Sequence, residues 1–159
     1  MGTKAQNILI LEDIRSSHNV GAMFRTADAV GISKIYLTGY TPAPIDRFGR
    51  ERADLAKSAL GAQNSVPWEQ VSTVIPLLTQ LQKEGYTIVA LEQDVRSVDY
   101  KTIVPHGNIA VVVGNEIEGV SAEVVSLADV VAEIPMRGEK ESLNVSVAAG
   151  VVLFRLFDK

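Results

Sequence analysis

The sequence contains no cysteine, and only two of its 159 residues are histidine. Without cysteine, disulfides, thiolate metal sites and a cysteine nucleophile are excluded, and two histidines are too few for a histidine-built metal site. No apolar run reaches the roughly 18 residues of a membrane helix, and the first residues form no basic-then-apolar leader. We therefore expect a soluble cytoplasmic protein without a metal site or a membrane segment.

The sequence also lacks an excess of positive charge, since its formal net charge is −4. Dedicated nucleic-acid binders are more often basic, because lysine and arginine displace counterions from the phosphates. Any contact with RNA must therefore be local, transient or shared between subunits. A hydrophobic content of 47% and a charged content of 21% fit one globular domain over residues 1–159 with a sizeable core.

Short β-rich apolar runs alternate with helical stretches along the chain, which predicts an α/β fold with a mainly parallel sheet. The predicted strands are 7–11, 34–37, 87–91, 109–113 and 130–134, with a brief edge strand at 66–68 where Pro67 cannot donate to a central ladder. The predicted helices are 19–30, 54–60, 71–83, one that begins after Ser121, and 142–157. Asn19, Ser121 and Ser142 are the predicted N-caps, and Gly31 ends the first helix.

The last predicted helix is apolar on nearly every side, from Leu143 to Phe157. Such a helix must be buried on more than one face. One face can cover the sheet, and the small residues Ala148, Ala149 and Gly150 allow another helix to approach the other face closely. We therefore predict a homodimer that packs through this helix.

Two loops that leave apolar strands carry glycine, amide, hydroxyl and carboxylate groups. The first, 114–121, matches a phosphate-binding pattern except that it lacks the lysine, and Glu116 and Glu118 would repel phosphate. No G-x-G-x-x-G follows the first strand either. The two loops, the second of which spans 134–144, indicate a pocket for a polar, non-phosphorylated cofactor, or else simple turns that use glycine for its backbone freedom.

Several polar residues also have structural explanations. Asn19 and Ser142 can serve as N-caps, and Ser142 with Asn144 can combine capping with ligand contact at the positive end of a helix. Arg25 can be a surface arginine whose stem covers the apolar helix face around it. The three arginines of the 38–52 loop can simply keep that loop soluble.

Taken together and in this order, the segments 19–27, 113–119 and 134–136 with 142–148 resemble the three motifs of the SpoU/TrmH family of RNA ribose methyltransferases, within the SPOUT superfamily. The resemblance spans almost the whole chain. It implies an α/β fold with helices on both faces of the sheet and a C-terminal trefoil knot, although topology rules treat knots as near-absent. It also implies S-adenosylmethionine as cofactor, a dimer with active sites near the subunit interface, and no separate RNA-binding extension in this chain.

Site residues are carried over position by position. By resemblance, Arg25 is the catalytic arginine, Asn19 and Glu116 support it, and Ser142 and Asn144 are the polar pair of the third motif. The implied cofactor-binding residues are Gly114, Asn115, Gly119, Ile134, Met136, Ser142, Leu143 and Asn144. The candidates for RNA contact are Arg15, Arg25, Arg47, Arg50 and Arg52.

The resemblance implies 2′-O-methylation of a ribose in structured RNA, and we expect transfer RNA as the substrate. Ribosomal RNA is the alternative, and a non-catalytic dimer that binds the cofactor or RNA is the second. A flavodoxin-like nucleotide-binding module is disfavoured because the chain has no phosphate loop. A guanidinium is a poor base, so we prefer Arg25 as the cation that stabilises the developing alkoxide.

Overall fold

The computed structural model describes residues 4–158, which form a seven-stranded sheet with helices on both faces. The strands are β1 (Asn7–Glu12), β2 (Lys34–Thr38), β3 (Trp68–Val71), β4 (Thr87–Leu91), β5 (Val98–Asp99), β6 (Ile109–Val113) and β7 (Val130–Glu133). The helices are α1 (Ser17–Val30), α2 (Ala53–Ala59), α3 (Ala62–Ser65), α4 (Val74–Lys83), α5 (Ala122–Leu127) and α6 (Val145–Phe157), with a 3₁₀ turn at Tyr100–Thr102.

The strands lie in the order β3-β2-β1-β6-β4-β7-β5, and each neighbouring pair is parallel. Their carboxyl ends therefore meet at one edge of the sheet. This arrangement confirms the predicted α/β class with a mainly parallel sheet. The C-terminal trefoil knot stays a prediction.

Two separate cores cover the two faces of the sheet. Along β1, Leu9 and Leu11 belong to one core and Ile8 and Ile10 to the other, because successive side chains of a strand point to opposite faces. Helices α1, α2, α3 and α6 supply the first core, whereas α4 and α5 supply the second. Burial on both faces explains why β1 and β6 are continuous apolar runs rather than alternating ones.

The predicted caps are partly right. Gly31 ends α1 in the left-handed region, and Ser121 caps α5 by accepting the Val124 N–H. The prediction of Asn19 as a cap is wrong, because α1 begins at Ser17 and the Ser16 side chain accepts the Asn19 N–H at 3.1 Å. Asn19 therefore lies in the first turn, with its own amide free for other contacts.

Ser142 is likewise not the cap of the last helix. That helix begins at Val145, and the Asn144 side chain accepts the Ser146 N–H at 2.9 Å. Ser142 and Asn144 are both good capping types, so composition could not choose between them. The cap is the residue whose carbonyl accepts the first hydrogen bond of the helix. In α6 that residue is Asn144, because its carbonyl accepts the Ala148 N–H.

Other boundaries differ from the prediction by a few residues. The edge strand β3 lies at 68–71 rather than 66–68, and Pro67 precedes it with its carbonyl accepting the Ile35 N–H at 2.9 Å. Helix α4 consequently begins at Val74 rather than at 71. The short elements α3 and β5 were not predicted, since four and two residues are too few to show a period.

Helix α6 buries one face and leaves apolar side chains on the other. Ala149, Val152 and Leu153 are inaccessible to solvent, whereas Val147 is 52% and Phe154 42% exposed. The expectation that a second apolar face exists is confirmed, but its partner stays a prediction. Within residues 4–158, no helix is long and apolar enough to cross a membrane.

Candidate active site

A cavity of about 200 Å³ opens where the carboxyl ends of β4, β6 and β7 meet. Three chain segments line it: the end of β4, the end of β6 with the loop that follows, and the loop between β7 and α6 with the first turn of α6. The lining residues are Leu91, Glu92, Gln93, Val113, Gly114, Asn115, Glu116, Ile117, Glu118, Gly119, Ile134, Met136, Ser142, Leu143, Val145 and Ala148. Seven of the eight predicted cofactor-binding residues are among them, and Asn144 is the exception.

The loop after β6 is held in a tight turn by Asn115. Its side-chain oxygen accepts the N–H groups of Ile117 and Glu118, both at 2.9 Å, and its backbone pairs with Gly119 across the turn. Gly119 has a φ of 72°, the left-handed region that glycine tolerates without strain. A Cβ on Gly114 would overlap the backbone of Gly119 and Val120, so both ends of the turn need glycine.

Asn115 also fastens this turn to the first two strands. Its side-chain amide donates to the Asp13 carbonyl at 2.9 Å and to the Tyr40 hydroxyl at 2.8 Å. Asp13 follows β1 and Tyr40 follows β2, so the cavity wall is tied to the rest of the sheet edge. The buried Asn115 amide thus has a structural role as well as a place on the cavity.

Glu116 connects the same turn to the start of α1. Its carboxylate accepts the backbone N–H groups of Arg15 and Ser16, each at 2.9 Å, and the Asn19 amide at 3.3 Å. Desolvation by burial raises the pKa of Glu116, yet these hydrogen bonds outweigh it, and the pKa lies below its ordinary value. Glu116 is therefore an anion that holds other groups in place rather than a proton donor.

One hydrogen-bonded relay joins residues from all three sequence motifs. The Asn144 amide donates to the Asn19 side-chain oxygen at 3.4 Å, and the Asn19 amide donates to Glu116. Asn19 is only 8% exposed, so its amide is held on both sides away from bulk water. The structure thus brings Asn19, Glu116 and Asn144 together, and it places Ser142 on the wall of the cavity.

Arg25 does not belong to this cluster. It is exposed on α1, six residues after Asn19, or roughly 9 Å along a helix axis. It does not line the cavity, and its side chain makes no hydrogen bond or ion pair within residues 4–158. The prediction of a surface arginine is confirmed, but its stem does not cover the apolar face of the helix, because Val20, Met23 and Ala27 point into the core and Arg25 points away from it.

The other candidate arginines lie around the edge of the molecule. Arg15 is exposed next to the start of α1, where its backbone holds Glu116. Arg47 and Arg50 are exposed in the loop between β2 and α2. Arg52 is half-buried, and its Nε is enclosed without an acceptor, so it is less able to reach a ligand than the other two.

Two cavity residues, Glu92 and Gln93, were not predicted from the sequence. Glu92 accepts the Val120 N–H at 2.7 Å and stands against Gly119. Gln93 donates to the Glu141 carbonyl at 2.6 Å and so ties β4 to the loop before α6. The sequence did contain a signal for these two residues, because they directly follow a predicted strand. In a parallel sheet, the carboxyl ends of neighbouring strands lie at the same edge.

The charges around the cavity are all of one sign. Glu92, Glu116 and Glu118 line it, and none of its lining residues is lysine or arginine. Such a wall repels phosphate and suits a ligand with a positive centre. Within the part of the chain that the structure describes, no cluster of His, Asp or Glu could hold a metal ion.

The model of the SpoU rRNA Methylase family matches residues 6–154 of the chain. Among curated proteins, the chain is 38% identical over 151 residues to the 23S rRNA (guanosine-2′-O-)-methyltransferase RlmB of Ralstonia nicotianae. That match covers 92% of the chain and 56% of the relative, so the chain spans little more than half the length of this protein.

Solved structures of similar proteins have the same fold. An AdoMet-bound rRNA methyltransferase from Sinorhizobium meliloti superimposes with a TM-score of 0.85 at 29% identity, over 96% of this chain and 56% of that one. A TrmH/SpoU tRNA modifying enzyme from A. aeolicus gives a TM-score of 0.83 at 31% identity, over 96% of this chain and 74% of that one.

Proposed function

Because the chain belongs to the SpoU rRNA Methylase family, we propose that it transfers a methyl group from S-adenosylmethionine to a ribose 2′-oxygen of RNA. The observation that carries the proposal is the relay of Asn19, Glu116 and Asn144 beside the cavity. Three residues from three distant parts of the chain, each singled out by the family motifs, meet at one place. Chance packing of a strand-to-helix turn does not explain that meeting.

The cavity chemistry fits S-adenosylmethionine. Apolar side chains such as Ile134 and Leu143 suit the faces of an adenine ring, and the backbone of the 114–119 turn can read its polar edge. The carboxylates of the wall suit the positive sulfonium, and the absence of a phosphate group in this cofactor matches a wall without cations. Because about 200 Å³ is below the ~300–1,000 Å³ of most ligand pockets, we expect the loops to part when the cofactor enters.

When bound, S-adenosylmethionine supplies an electrophilic methyl group for attack by the ribose oxygen. We assign to Arg25 the role of the cation that stabilises the developing alkoxide and grips the neighbouring phosphate. Glu116 stays ionised and fixes the start of α1, the helix that carries Arg25. Through Asn19, hydrogen bonds from Asn144 and to Glu116 hold the loops after β6 and β7 against the start of α1, so the effect of Asn19 and Asn144 on the reaction is positional.

Ribosomal RNA is the better-supported substrate. The 23S rRNA methyltransferase of Ralstonia nicotianae is more similar to the chain than the tRNA modifying enzyme of A. aeolicus, at 38% against 31% identity. The expected preference for transfer RNA is therefore replaced by a proposal of ribosomal RNA. Arg15, Arg47 and Arg50 are the exposed cations that we propose to contact its phosphates, with Arg52 in a lesser role.

Incubation with methyl-labelled S-adenosylmethionine and either 23S rRNA or bulk tRNA tests the proposal. Label in alkali-resistant dinucleotides of the rRNA alone is the expected result. Arg25→Ala should lose transfer by about 100-fold or more, as the loss of an oxyanion donor does, with cofactor affinity unchanged. Lys83→Ala, which removes an exposed cation from α4 on the opposite face of the sheet, is the control. Label on bases, or none in either RNA, would refute the proposed reaction.

We also propose that the protein is a homodimer through the exposed face of α6. Val147 and Phe154 are seven residues apart and therefore share that face. The Cβ position of Gly150 is 3.7 Å from the Thr26 side chain of α1, so this glycine borders α1 and does not lie open to a partner.

A further inference from the structure

The segment 44–52 forms a small hairpin that holds Phe48 out in solvent. The Phe48 side chain is 66% exposed. Ile45 and Glu51 pair as an antiparallel bridge, and the Arg52 N–H donates to the Pro44 carbonyl at 2.9 Å. Because these contacts close the base of the hairpin, its tip has a defined position. We call this segment the Phe48 hairpin.

Asp46 fixes the tip. Its carboxylate accepts the backbone N–H groups of Phe48 at 2.8 Å and Arg50 at 3.0 Å, and it pairs with the Arg50 Nε at 3.3 Å. The Arg50 N–H is the largest cause that holds the pKa of Asp46 below its ordinary value. An exposed aromatic ring on an ordered turn loses little conformational entropy when it binds a ligand.

Two guanidinium groups lie over the Phe48 ring. The Arg47 and Arg50 carbons Cζ are 4.8 and 4.9 Å from the ring centroid. Asp46 holds Arg50, whereas Arg47 has no ion-pair or hydrogen-bond partner within residues 4–158 and is free to move off the ring. The tip is thus cationic, although the formal net charge of the whole chain is −4.

We propose that the Phe48 hairpin is a stacking platform for an unpaired base of the RNA substrate, an inference that rests on the proposed function. Aromatic rings and guanidinium planes stack on any base, because every base has a π-face. A base that stacks on Phe48 displaces the Arg47 guanidinium, which then pairs with the adjoining phosphate. An apolar protein partner would have to desolvate both guanidinium groups instead, at a large cost.

The hairpin is connected to the candidate active site. It follows β2 by way of Tyr40, whose hydroxyl accepts the amide of the cavity residue Asn115 at 2.8 Å. The eight residues from Tyr40 to Phe48 span at most about 29 Å when fully extended. One RNA strand can therefore reach both the cavity and Phe48, and a base stacked on Phe48 would fix the register of that strand.

Fluorescence anisotropy of a labelled single-stranded oligoadenylate 10-mer tests the platform, with an RNA duplex of the same length as the control. Phe48→Ala should weaken binding of the single strand by about 5- to 150-fold, the range for loss of one stacked base. Phe48→Tyr should retain the affinity, and Phe48→Leu should not. Arg47→Ala should reduce the salt slope of binding by about one phosphate contact.

Four results would overturn the platform: equal affinity of Phe48→Ala and the unaltered protein, an equal loss on the duplex, full affinity of Phe48→Leu, or no binding of the 10-mer. A changed oligomeric state of the Phe48→Ala variant, with unchanged RNA affinity, would instead assign Phe48 to a protein contact. Methyl transfer to 23S rRNA by the unaltered protein is measured separately, so failure of the reaction and failure of the platform are distinguishable.

Discussion

At the scale of single residues, the site is organised by an anion that does not need to touch the cofactor. Glu116 gathers two backbone N–H groups and one amide, and each of its oxygens serves at least one donor. Charged acceptors make stronger hydrogen bonds than neutral ones. The identity of this residue therefore matters for the geometry of the whole relay.

Glu116→Gln should destabilise the fold by about 1 kcal/mol, the lower end for an unsatisfied donor, because water reaches this half-buried residue. The glutamine NH₂ would oppose at least one of the groups that now donate. The pKa of Glu116 is lowered from 4.5, so its stabilisation is complete above pH 4.5 and is lost as the pH falls through the lower folded value. Urea unfolding at a series of pH values from 7 downwards should show a difference that is full at pH 7 and shrinks as the Glu116 carboxylate is protonated.

Glu118→Gln is the matched control for this measurement. Glu118 lies in the same turn, is exposed, and its side chain makes no hydrogen bond within residues 4–158. Its substitution should change neither the stability nor the pH profile. Equal effects of the two glutamine variants would show that the Glu116 hydrogen bonds do not stabilise the start of α1.

Gly114 offers a residue-scale test of the cavity itself. A Cβ at this position would overlap backbone atoms of Gly119 and Val120, so Gly114→Ala should push the turn out of place. Calorimetric titration with S-adenosylmethionine should show affinity weakened by about 10-fold or more. A 10-fold loss corresponds to about 1.4 kcal/mol of binding free energy, which misplaced contacts with the cofactor would remove.

Gly138→Ala is the control for Gly114→Ala, because a Cβ there meets nothing within 4 Å. Gly138 lies in the loop between β7 and α6, which also borders the cavity, so the two variants differ mainly in the clash. A thermal melt of each variant shows whether the fold is kept. Unchanged affinity of a folded Gly114→Ala would disconnect the turn from cofactor binding.

At the scale of secondary-structure elements, the start of α6 is fixed by Asn144 and not by Ser142. Asn144→Ala should cost about 1 kcal/mol of unfolding free energy, the usual value of an N-cap. Ser142→Ala should stay within ±0.5 kcal/mol, because the Ser142 side chain makes no hydrogen bond within residues 4–158. Chemical denaturation measures both, and Asn144→Ser should restore the cap, because its hydroxyl accepts the Ser146 N–H without setting a carboxylate against the Asn19 side-chain oxygen. A larger loss in Ser142→Ala than in Asn144→Ala would contradict the assignment.

The same helix shows what a sequence can predict about elements. The long apolar runs of β1 and β6 and the periods of α1 and α6 are local signals, and they located these elements within three residues. The starts of α1 and α6 were misplaced because each has more than one capping candidate within four residues. The choice depends on which side chain faces the free N–H groups, and that is a property of three-dimensional structure.

The sequence likewise predicted only part of the candidate site. Motif resemblance identified Asn19, Glu116 and Asn144, but it could not show that they form one relay, because the relay joins residues 97 and 125 positions apart. Glu92 and Gln93 belong to no recognised motif, and they entered the site only through the order of strands in the sheet. Arg25 was identified by resemblance alone, and no contact in the described residues assigns its role.

At the scale of the whole molecule, the exposed apolar face of α6 is too small to hold a dimer alone. A helix of 13 residues is roughly 20 Å long and 10 Å wide, which gives roughly 200 Å² per face. A standard interface buries about 800 Å² per partner. The neighbouring helix α1 packs on α6 through Thr26 and Gly150, so its exposed side is the nearest additional surface. That surface carries Arg25.

Val147→Glu should therefore convert the proposed homodimer into monomers. The side chain is 52% exposed, so the charge meets water in the monomer but would be buried without a partner in the dimer. Light scattering should show the mass halved, and Val95→Glu, at a fully exposed position in the loop between β4 and β5, should leave the mass unchanged. The interface is large enough only if it includes the exposed side of α1, which carries the proposed catalytic residue Arg25. Methyl transfer should therefore fall together with the mass while the fold is retained. An unaltered protein that is already monomeric would refute the homodimer, and retained transfer by the monomeric variant would show that Arg25 acts without a second subunit.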